Sequence, residues 1–325
     1  MLGRAFGAPA DSSAGAPLFR SEPVSRTPYQ PEVIVPKFCL SIAFSSPEDY
    51  TTLALAAEQN GFRAVSVADH LIYPKSFSVP YPYTDDGVPR FGDKDDFPDP
   101  WIAITAMAAI TRQLEFLTNV FVLPARNPVQ VAKILSSASI YSRGRIGLGI
   151  GMGWMPEEFD AAGQDFARRG RRADEMLQVM RALWTGEYVE FDGEHYTLQP
   201  MRMLPRPYTD IPVYVGGFST PALKRAARHD GWIADLHSLA ELEKLVGDLE
   251  ACRVAAGTQS RQFRRFAFGC TDAVGVAGFQ SMFDMGIDTV TLMPWVTYCG
   301  AINPPVAEKV DAIARFADEV IAVMS

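Results

Sequence analysis

Histidine and cysteine are both scarce in this chain, and their scarcity argues against several kinds of site. Four histidines and four cysteines occur among 325 residues. The cysteines (Cys39, Cys252, Cys270 and Cys299) form no C-x-x-C pair, so the sequence predicts no metal site. Scattered cysteines in a large domain are typical of reduced thiols, which favours a cytoplasmic protein.

A basic surface and a long apolar run are missing as well. The 30 Lys and Arg residues are outnumbered by 38 Asp and Glu residues, which gives a net charge of −8. Because phosphate backbones are bound by basic faces, no nucleic-acid partner is expected. No apolar run reaches the ~18 residues that a membrane helix needs. The N-terminus also lacks the basic flank and apolar core of a signal peptide, so no membrane partner is expected.

The sequence also lacks the short motifs of several enzyme classes. It contains no G-x-S-x-G elbow, no H-E-x-x-H helix and no glycine-rich phosphate loop ending in Gly-Lys-Ser/Thr. Serine hydrolases, zinc proteases and nucleotide triphosphatases therefore find no support in this sequence.

Composition divides the chain into two parts. Residues 1–36 are rich in Pro, Ser, Ala and Gly, and they are predicted to form a flexible N-terminal extension. Residues 37–325 are predicted to fold as a single catalytic domain. A segment of this length can bury its own core without disulfides or metals.

Short apolar runs alternate with amphipathic stretches from residue 37 onward. Eight runs are predicted as strands: 37–44, 62–68, 114–120, 145–150, 211–216, 231–235, 263–269 and 288–293. The stretches between them are predicted as helices: 47–60, 100–111, 128–141, 172–185, 221–229, 240–256, 271–285 and 305–322. This alternation is typical of a parallel sheet with right-handed crossovers. Eight units over roughly 290 residues favour a (β/α)8 TIM barrel over an open sheet.

Two insertions interrupt this rhythm. Residues 73–98 follow the second strand and contain six aromatic residues. Because the loop after a barrel strand opens onto the catalytic face, we predict a lid in which Tyr73 and Phe77 contact substrate. An ordered surface loop with its own aromatic cluster is the alternative. Residues 188–207, after the strand-four helix, are predicted to form a structural hairpin with an Asp192-Gly193 turn.

Glycines are concentrated at the end of the fourth strand. The segment 144–154 reads GRIGLGIGMGW and places Gly149, Gly151 and Gly153 at alternate positions. Such glycines let a flat ring or a phosphate approach the backbone closely. The spacing is not that of the dinucleotide-binding fingerprint. The alternative, that the glycines relieve crowding in a barrel, remains open.

Polar residues follow two other strands. Asp69 and His70 end the second strand, where an imidazole can exchange a proton near neutral pH and a carboxylate can orient it. A structural histidine is the alternative. Gly216 and Gly217 lead into a helix capped by Ser219, an arrangement that favours an anion at the helix N-terminus. An ordinary N-cap after a tight turn would look the same.

Other charged and aromatic residues are given mostly structural interpretations. The acid pairs at 157–158 and 174–175 are predicted as helix-surface or first-turn charges that pair with the arginines of 168–172. Trp154 and Trp295 follow strands four and eight, and each is predicted to wall a ring-binding pocket and contact substrate. Plain core packing is the alternative for both tryptophans.

Four stretches carry a resemblance to a known family. They are VADHLIYP at 67–74, LTNVFVLPARNPVQVAK at 117–133, the glycine-rich block at 142–184, and IPVYVGGFSTPALKRAARHDGWI at 211–233. In this order they resemble the bacterial-luciferase-like monooxygenase superfamily, and most of all its coenzyme F420-dependent oxidoreductase branch. The resemblance implies the (β/α)8 fold and a deazaflavin or flavin across the barrel mouth.

The resemblance also implies roles for individual residues. Asp69 and His70 would lie against the ring of the cofactor. A bulge with a non-prolyl cis peptide would cup the ring, and it would fall among Asn119, Val120 and Phe121. The residues that would face the cofactor or hold its phosphate are Gly151, Gly153, Gly216, Gly217 and Ser219. Arg126 and Lys133 would contribute to a groove for the acidic tail of coenzyme F420.

The predicted activity is hydride transfer between coenzyme F420 and a small, apolar organic substrate. Relatives that act on sugar phosphates carry a Glu where this chain has Trp154, which disfavours such a substrate. An FMN-dependent monooxygenase that uses reduced flavin and oxygen is the alternative. A flavin-binding barrel without turnover is disfavoured because the polar residues at the strand ends are retained. The resemblance further implies a homodimer.

Overall fold

The computed structural model describes residues 37–324, so the predicted N-terminal extension lies outside the described residues. The strands are β1 (Phe38–Ser41), β2 (Ala64–Val67), β3 (Glu115–Thr118), β4 (Phe121–Val122), β5 (Ile146–Gly151), β6 (Val189–Asp192), β7 (Thr197–Met201), β8 (Val213–Gly216), β9 (Gly231–Ala234), β10 (Arg264–Phe268) and β11 (Thr289–Leu292).

Helices follow most of these strands. They are α1 (Tyr50–Gln59), α2 (Pro100–Ile110), α3 (Pro128–Tyr141), α4 (Pro156–Ala161), α5 (Arg169–Trp184), α6 (Thr220–Ala226), α7 (Leu239–Ala255), α8 (Gly275–Asp284), α9 (Pro294–Cys299), α10 (Val306–Phe316) and α11 (Ala322–Met324). Two short 3-10 turns lie at Pro47–Asp49 and Leu123–Ala125, and one π turn lies at Ala317–Ile321.

The parallel strands close into a ring. Around the ring the order is β1, β2, β3, β5, β8, β9, β10 and β11, and β11 pairs with β1 to close it. The short strand β4 continues β3 after a two-residue interruption and pairs with the end of β5. Within residues 37–324, this is the predicted eight-stranded (β/α)8 barrel. The predicted strand runs each overlap one of these strands, whereas the short helices α4 and α9 were not predicted.

Side chains along each strand point alternately into two apolar layers, one between the sheet and the helices and one inside the barrel. In β1, Phe38 and Leu40 belong to the large cluster between the sheet and the helices, while Cys39 points the other way. The inward side chains pack together inside the barrel: Cys39, Ala64, Leu117, Tyr214, Ile233 and Phe266. Because both faces are covered, the strands are apolar throughout, and all six residues of β5 are buried.

The second insertion forms the predicted hairpin. Strands β6 and β7 pair antiparallel. The predicted Asp192-Gly193 turn is wrong, because the loop runs over 193–196 and the N–H of Gly193 donates to the Tyr196 carbonyl at 3.0 Å. A carboxylate of α5 anchors this loop: Glu175 accepts from the backbone N–H of His195 and of Tyr196. The hairpin is therefore anchored to α5, and its structural role stays a prediction.

No helix within residues 37–324 has the length and apolarity that crossing a membrane requires.

Candidate active site

The end of β2 is joined to the end of β4 by a buried ion pair. Asp69 is 4% exposed. Its Oδ1 accepts from Arg126 Nη2 at 2.6 Å, and its Oδ2 accepts from Arg126 Nη1 at 2.7 Å and from the Val122 N–H at 2.9 Å. Burial raises the pKa of Asp69, and the Arg126 guanidinium opposes that rise. Both oxygens are thus engaged by β4 and its 3-10 turn, and Asp69 holds this part of the barrel rim in place.

His70, the next residue, faces a different carboxylate. Its Nδ1 lies 3.4 Å from Oε1 of Glu158, whose side chain is fully buried in the first turn of α4. The same Oε1 accepts from the Leu71 N–H at 2.6 Å. Both acids of the 157–158 pair lie in the first turn of α4, as was predicted, but the predicted surface position is wrong for Glu158, which is buried. Helix α4 begins at Pro156, and Glu157 and Glu158 are its second and third residues. Of the two acids, only Glu158 is fully buried.

Val120 forms a floor between two strand ends. The peptide between Asn119 and Val120 is cis, within the bulge that was expected at 119–121. A Cβ added at Gly151 would lie 2.5 Å from Val120 Cγ2, and one at Gly216 would lie 2.7 Å from Val120 Cγ1. Because Gly151 and Gly216 have no Cβ, there is room for the Val120 side chain between them. Their effect on a bound ring would therefore be indirect, through the position of Val120. The contact at Gly151 agrees with the alternative interpretation of the strand-four glycines, in which they relieve crowding in the barrel.

Gly153 and Phe121 pack against side chains other than Val120. Gly153 has φ +76°, and a Cβ there would lie 2.6 Å from the Phe159 ring. Phe121 is 2% exposed, and the Arg126 guanidinium stacks 4.2 Å from its ring centroid. Phe121 belongs to the large cluster between the sheet and the helices, so the structure does not support its predicted contact with a cofactor.

The turn between β8 and α6 keeps several backbone donors free. Gly217 has φ +112°, a conformation that favours glycine. The Ser219 side chain accepts from the Ala222 N–H at 3.4 Å and caps its own helix. Within residues 37–324, the N–H groups of Phe218, Ser219 and Thr220 donate to no protein acceptor. The turn is exposed, so these donors are accessible to a ligand.

The residues 73–98, called here the covering loop, lie over the C-terminal ends of several strands. From this loop Phe91 stacks on His70 at 4.7 Å between ring centroids, and Phe77 stacks on Trp154 at 5.3 Å. Tyr73 contacts both Phe77 and Phe91, at 5.3 and 6.0 Å. The predicted substrate contacts Tyr73, Phe77 and Trp154 thus meet His70 in one aromatic cluster.

Polar contacts fasten the covering loop on both sides of the mouth. On one side, the Ser78 N–H donates to Glu157 Oε1 at 2.6 Å. On the other, Arg90 Nη1 bonds both oxygens of Asp235, after β9, at 2.9 and 3.0 Å. Arg90 Nη2 also donates to the Tyr83 carbonyl at 2.7 Å. The loop is therefore held across the barrel mouth rather than beside it.

Replacing Arg90 with Ala is expected to loosen the covering loop without unfolding the barrel. A partly exposed ion pair contributes about 1 kcal/mol at most, so amide hydrogen exchange within the loop should rise about fivefold. Hydrogen exchange followed by mass spectrometry measures this. R315A on α10, which removes an exposed pair with Glu319 of the π turn, is the matched control and should leave loop exchange unchanged. Equal exchange in R90A and the unmodified protein would contradict the fastening role.

Three other predicted residues lie outside this cluster. Trp295, on α9, is fully buried, and its Nε1 donates to the Ile302 carbonyl at 2.8 Å, so its indole packs into the core instead of walling the mouth. Lys133 donates to the Leu204 carbonyl. Arg126 is occupied by Asp69, so neither predicted basic residue is free for an acidic tail.

The predicted pairing of the arginines of 168–172 with the nearby acids is wrong where their contacts are seen. Arg168 pairs with Glu194 at 3.1 Å. Arg169 Nε donates to the Gly153 carbonyl at 2.9 Å, and Arg172 Nη2 donates to the Pro124 carbonyl at 2.6 Å. Arg169 and Arg172 therefore bind backbone carbonyls around the rim, and Arg168 binds a carboxylate of the hairpin loop.

Within the described part of the chain, no group of three or more His, Cys, Asp or Glu side chains has a metal-binding arrangement.

Comparison with known proteins identifies the family. The model of the family described as luciferase-like monooxygenase matches residues 26–273. The chain belongs to this family. An uncharacterized protein of Mycobacterium tuberculosis, one of its relatives, is 35% identical over 287 residues, covering 88% of this chain and 99% of the relative. The luciferase-like family membership agrees with the resemblance predicted from the four sequence stretches.

Further relatives of this luciferase-like chain include enzymes with assigned activities. An F420-dependent glucose-6-phosphate dehydrogenase of Gordonia bronchialis is 33% identical over 208 residues, covering 62% of this chain and 57% of that protein. Two solved structures share the fold at a TM-score of 0.70 and are covered nearly completely. One is a coenzyme F420-dependent tetrahydromethanopterin reductase from Methanopyrus kandleri, which is 16% identical; the match covers 89% of this chain and 99% of that one. The other is a monooxygenase from Streptomyces bottropensis, which is 20% identical; the match covers 89% of this chain and 100% of that one.

Sequence reasoning missed several residues of this luciferase-like site. Glu158 and Phe159 lie three and four residues after Met155, and all three side chains are buried. This i, i+3, i+4 spacing marks an inward helix face, and it is the signal that could have found Glu158. Nothing comparable marks the pairing of Arg90 with Asp235, because 145 positions separate them along the chain.

Proposed function

We propose that this luciferase-like oxidoreductase transfers a hydride between coenzyme F420 and a small, apolar organic substrate. The observation that carries the proposal is the position of His70, whose ring is placed among aromatic side chains under the covering loop. Similarity to an F420-dependent dehydrogenase at 33% identity supports the choice of cofactor. Bound coenzyme F420 supplies or accepts the hydride.

The residues at the mouth fit a flat ring that carries a phosphate. Val120, supported by Gly151 and Gly216, offers a half-buried apolar surface on which a ring can lie. The free N–H groups at 218–220 suit the phosphate, because donors at a helix start attract anions. Gly217 lets the backbone turn so that these donors share one side.

The charges around the mouth support an uncharged substrate. Arg90 is bound by Asp235, and Arg126 is bound by Asp69. Neither guanidinium is left to bind a phosphate group on a substrate. The rings of Phe77, Phe91 and Trp154 instead offer apolar contacts. An aromatic or aliphatic ketone, alcohol or enone therefore suits the site better than a sugar phosphate.

His70 would exchange the proton that accompanies the hydride. Its imidazole can donate a proton to a carbonyl oxygen or take one from a hydroxyl. The covering loop would exclude water from this exchange by closing over the substrate. Asp69 would act indirectly, since both its oxygens hold Arg126 and β4.

An FMN-dependent monooxygenase is the second candidate. The family description and the shared fold with the Streptomyces bottropensis monooxygenase favour it. The same floor and backbone donors would bind the flavin ring and its single phosphate. The two candidates differ in the cofactor that binds tightly and in the need for oxygen.

The quaternary state and location are also proposals. Apolar side chains are exposed on the outer faces of α2 and α3, among them Ile102 at 74% and Tyr141 at 68%. An isologous contact between these helices would cover them, which supports a homodimer. The cysteines are unpaired, which supports a cytoplasmic location.

Titration of the purified protein with coenzyme F420 and, separately, with FMN tests the proposal. We expect coenzyme F420 to bind at least about tenfold more tightly, measured by absorbance and fluorescence. In G216A the new Cβ would displace Val120, so affinity should fall about tenfold or more. G247A, on an exposed turn of α7 where a Cβ meets nothing within 4 Å, is the matched control. Tighter binding of FMN, with oxygen consumption, would favour the monooxygenase.

A further inference from the structure

The Nδ1 edge of His70 meets one polar group. This nitrogen is buried and lies 3.4 Å from Glu158 Oε1, although the geometry is not that of a formed hydrogen bond. The rings of Phe91 and Phe97 also contact the imidazole, and a phenyl side chain offers no carboxylate or carbonyl acceptor. Asp69 is adjacent in sequence, but its oxygens are bound by Arg126 and Val122. Glu158 is therefore the carboxylate available to this edge.

Glu158 is prepared to accept a hydrogen bond from His70. Its side chain is fully buried, and Oε1 is already fixed by the Leu71 N–H. Its Oε2 is buried and has no hydrogen-bond partner within residues 37–324. A buried carboxylate oxygen without a partner is costly, so a small rotation that lets it accept the Nδ1–H of His70 would be favourable.

We infer that Glu158 is a positioning residue that fixes the tautomer of His70. With the proton of the neutral ring held on Nδ1 by Glu158, Nε2 is left bare on the opposite edge of the ring. This inference deepens the proposed function and rests on the assignment of His70 as the group that exchanges a proton with substrate.

The proton balance follows from this tautomer. When an alcohol substrate is oxidised, its C–H bond gives a hydride to oxidised coenzyme F420, and its O–H proton passes to Nε2. His70 then becomes an imidazolium beside the Glu158 carboxylate, which stabilises the new positive charge. In the reducing direction the same Nε2–H protonates the carbonyl oxygen as carbon gains the hydride, and the ring returns to the neutral form with its proton on Nδ1.

Nitrogen-15 NMR of the protein labelled at its four histidines tests the inference without cofactor or substrate. The shifts of the two ring nitrogens show which one carries the proton, and H70Q assigns the His70 signals. We expect the neutral Nδ1–H form to exceed the Nε2–H form at least about tenfold. E158Q, which can still accept from the Leu71 N–H, should lose this preference.

Matched variants separate a specific effect from a general one. D160N removes a carboxylate from an exposed position of the same helix and should keep the Nδ1–H form dominant. E158D keeps the charge and should restore part of the preference if E158Q folds poorly. A dominant Nε2–H form in the unmodified protein, or an unchanged preference in E158Q, overturns the inference. Because no cofactor is present, that result is distinguishable from a failure of the proposed activity.

Discussion

H70A is expected to reduce turnover by about 10²–10⁴-fold, the usual contribution of a general acid or base. Binding of the cofactor should change by less than about threefold, since the floor at Val120 and the donors at 218–220 are untouched. H70Q, which fills more of the space beside Phe91, should lose turnover to a similar extent. Titration of the cofactor and steady-state kinetics with a substrate found by screening ketones and alcohols measure the two effects.

A histidine outside the mouth provides the control for this substitution. His195 lies on the β6–β7 hairpin, and its side chain is 15% exposed, close to the 13% of His70. H195A should leave turnover unchanged. Full activity in H70A would remove His70 from the mechanism, whereas loss of cofactor binding in H70A would make it a binding residue instead.

D69N is expected to lower the free energy of unfolding by about 3–5 kcal/mol, because it leaves the Arg126 guanidinium buried without its countercharge. Asn has nearly the same shape as Asp, so little of the effect would come from packing. Urea denaturation followed by fluorescence measures the change. K244A, which removes an exposed pair with Asp248, should change stability by no more than about 0.5 kcal/mol.

The reciprocal variant shows whether the effect belongs to the pair. R126M leaves the Asp69 carboxylate buried alone and should also be strongly destabilised. The double variant D69N/R126M should then be more stable than the sum of the single losses requires, by about 1 kcal/mol or more. Strictly additive losses would mean that Asp69 and Arg126 act through separate contacts.

The barrel could be predicted because its strands are apolar on both faces. Runs such as 145–150 have no competing interpretation once helices separate them at regular intervals. Most observed strands are shorter than predicted, since only residues that pair with a neighbour belong to the sheet, whereas β5 keeps its predicted length and is shifted by one residue. The weakest prediction was the helix at 271–285, and the structure has α8 there from Gly275.

From the residues alone, site residues were predicted only where a side chain or turn that can exchange a proton or bind a ligand follows a strand. His70 comes just after a strand, so its place at the mouth follows from the barrel, whereas Val120 was assigned only through the resemblance to the luciferase-like family. Trp295 also follows a strand, but α9 begins at Pro294 and turns the indole into the core. Glu158 was missed because a pair of adjacent acids looks solvent-exposed until the helix that carries it is oriented. Contacts that depend on the rotation of a short helix are not readable from composition.

The contacts of Val120 couple three positions of the chain, 120, 151 and 216. Its two methyl groups occupy the places where side chains at 151 and 216 would begin. During evolution, a larger residue at 120 would find no room, and an alanine at 151 or 216 would be tolerated only beside a smaller residue at 120. The shape of the catalytic floor can therefore change through coordinated replacements, and a single substitution at any of the three positions would leave the other two mismatched.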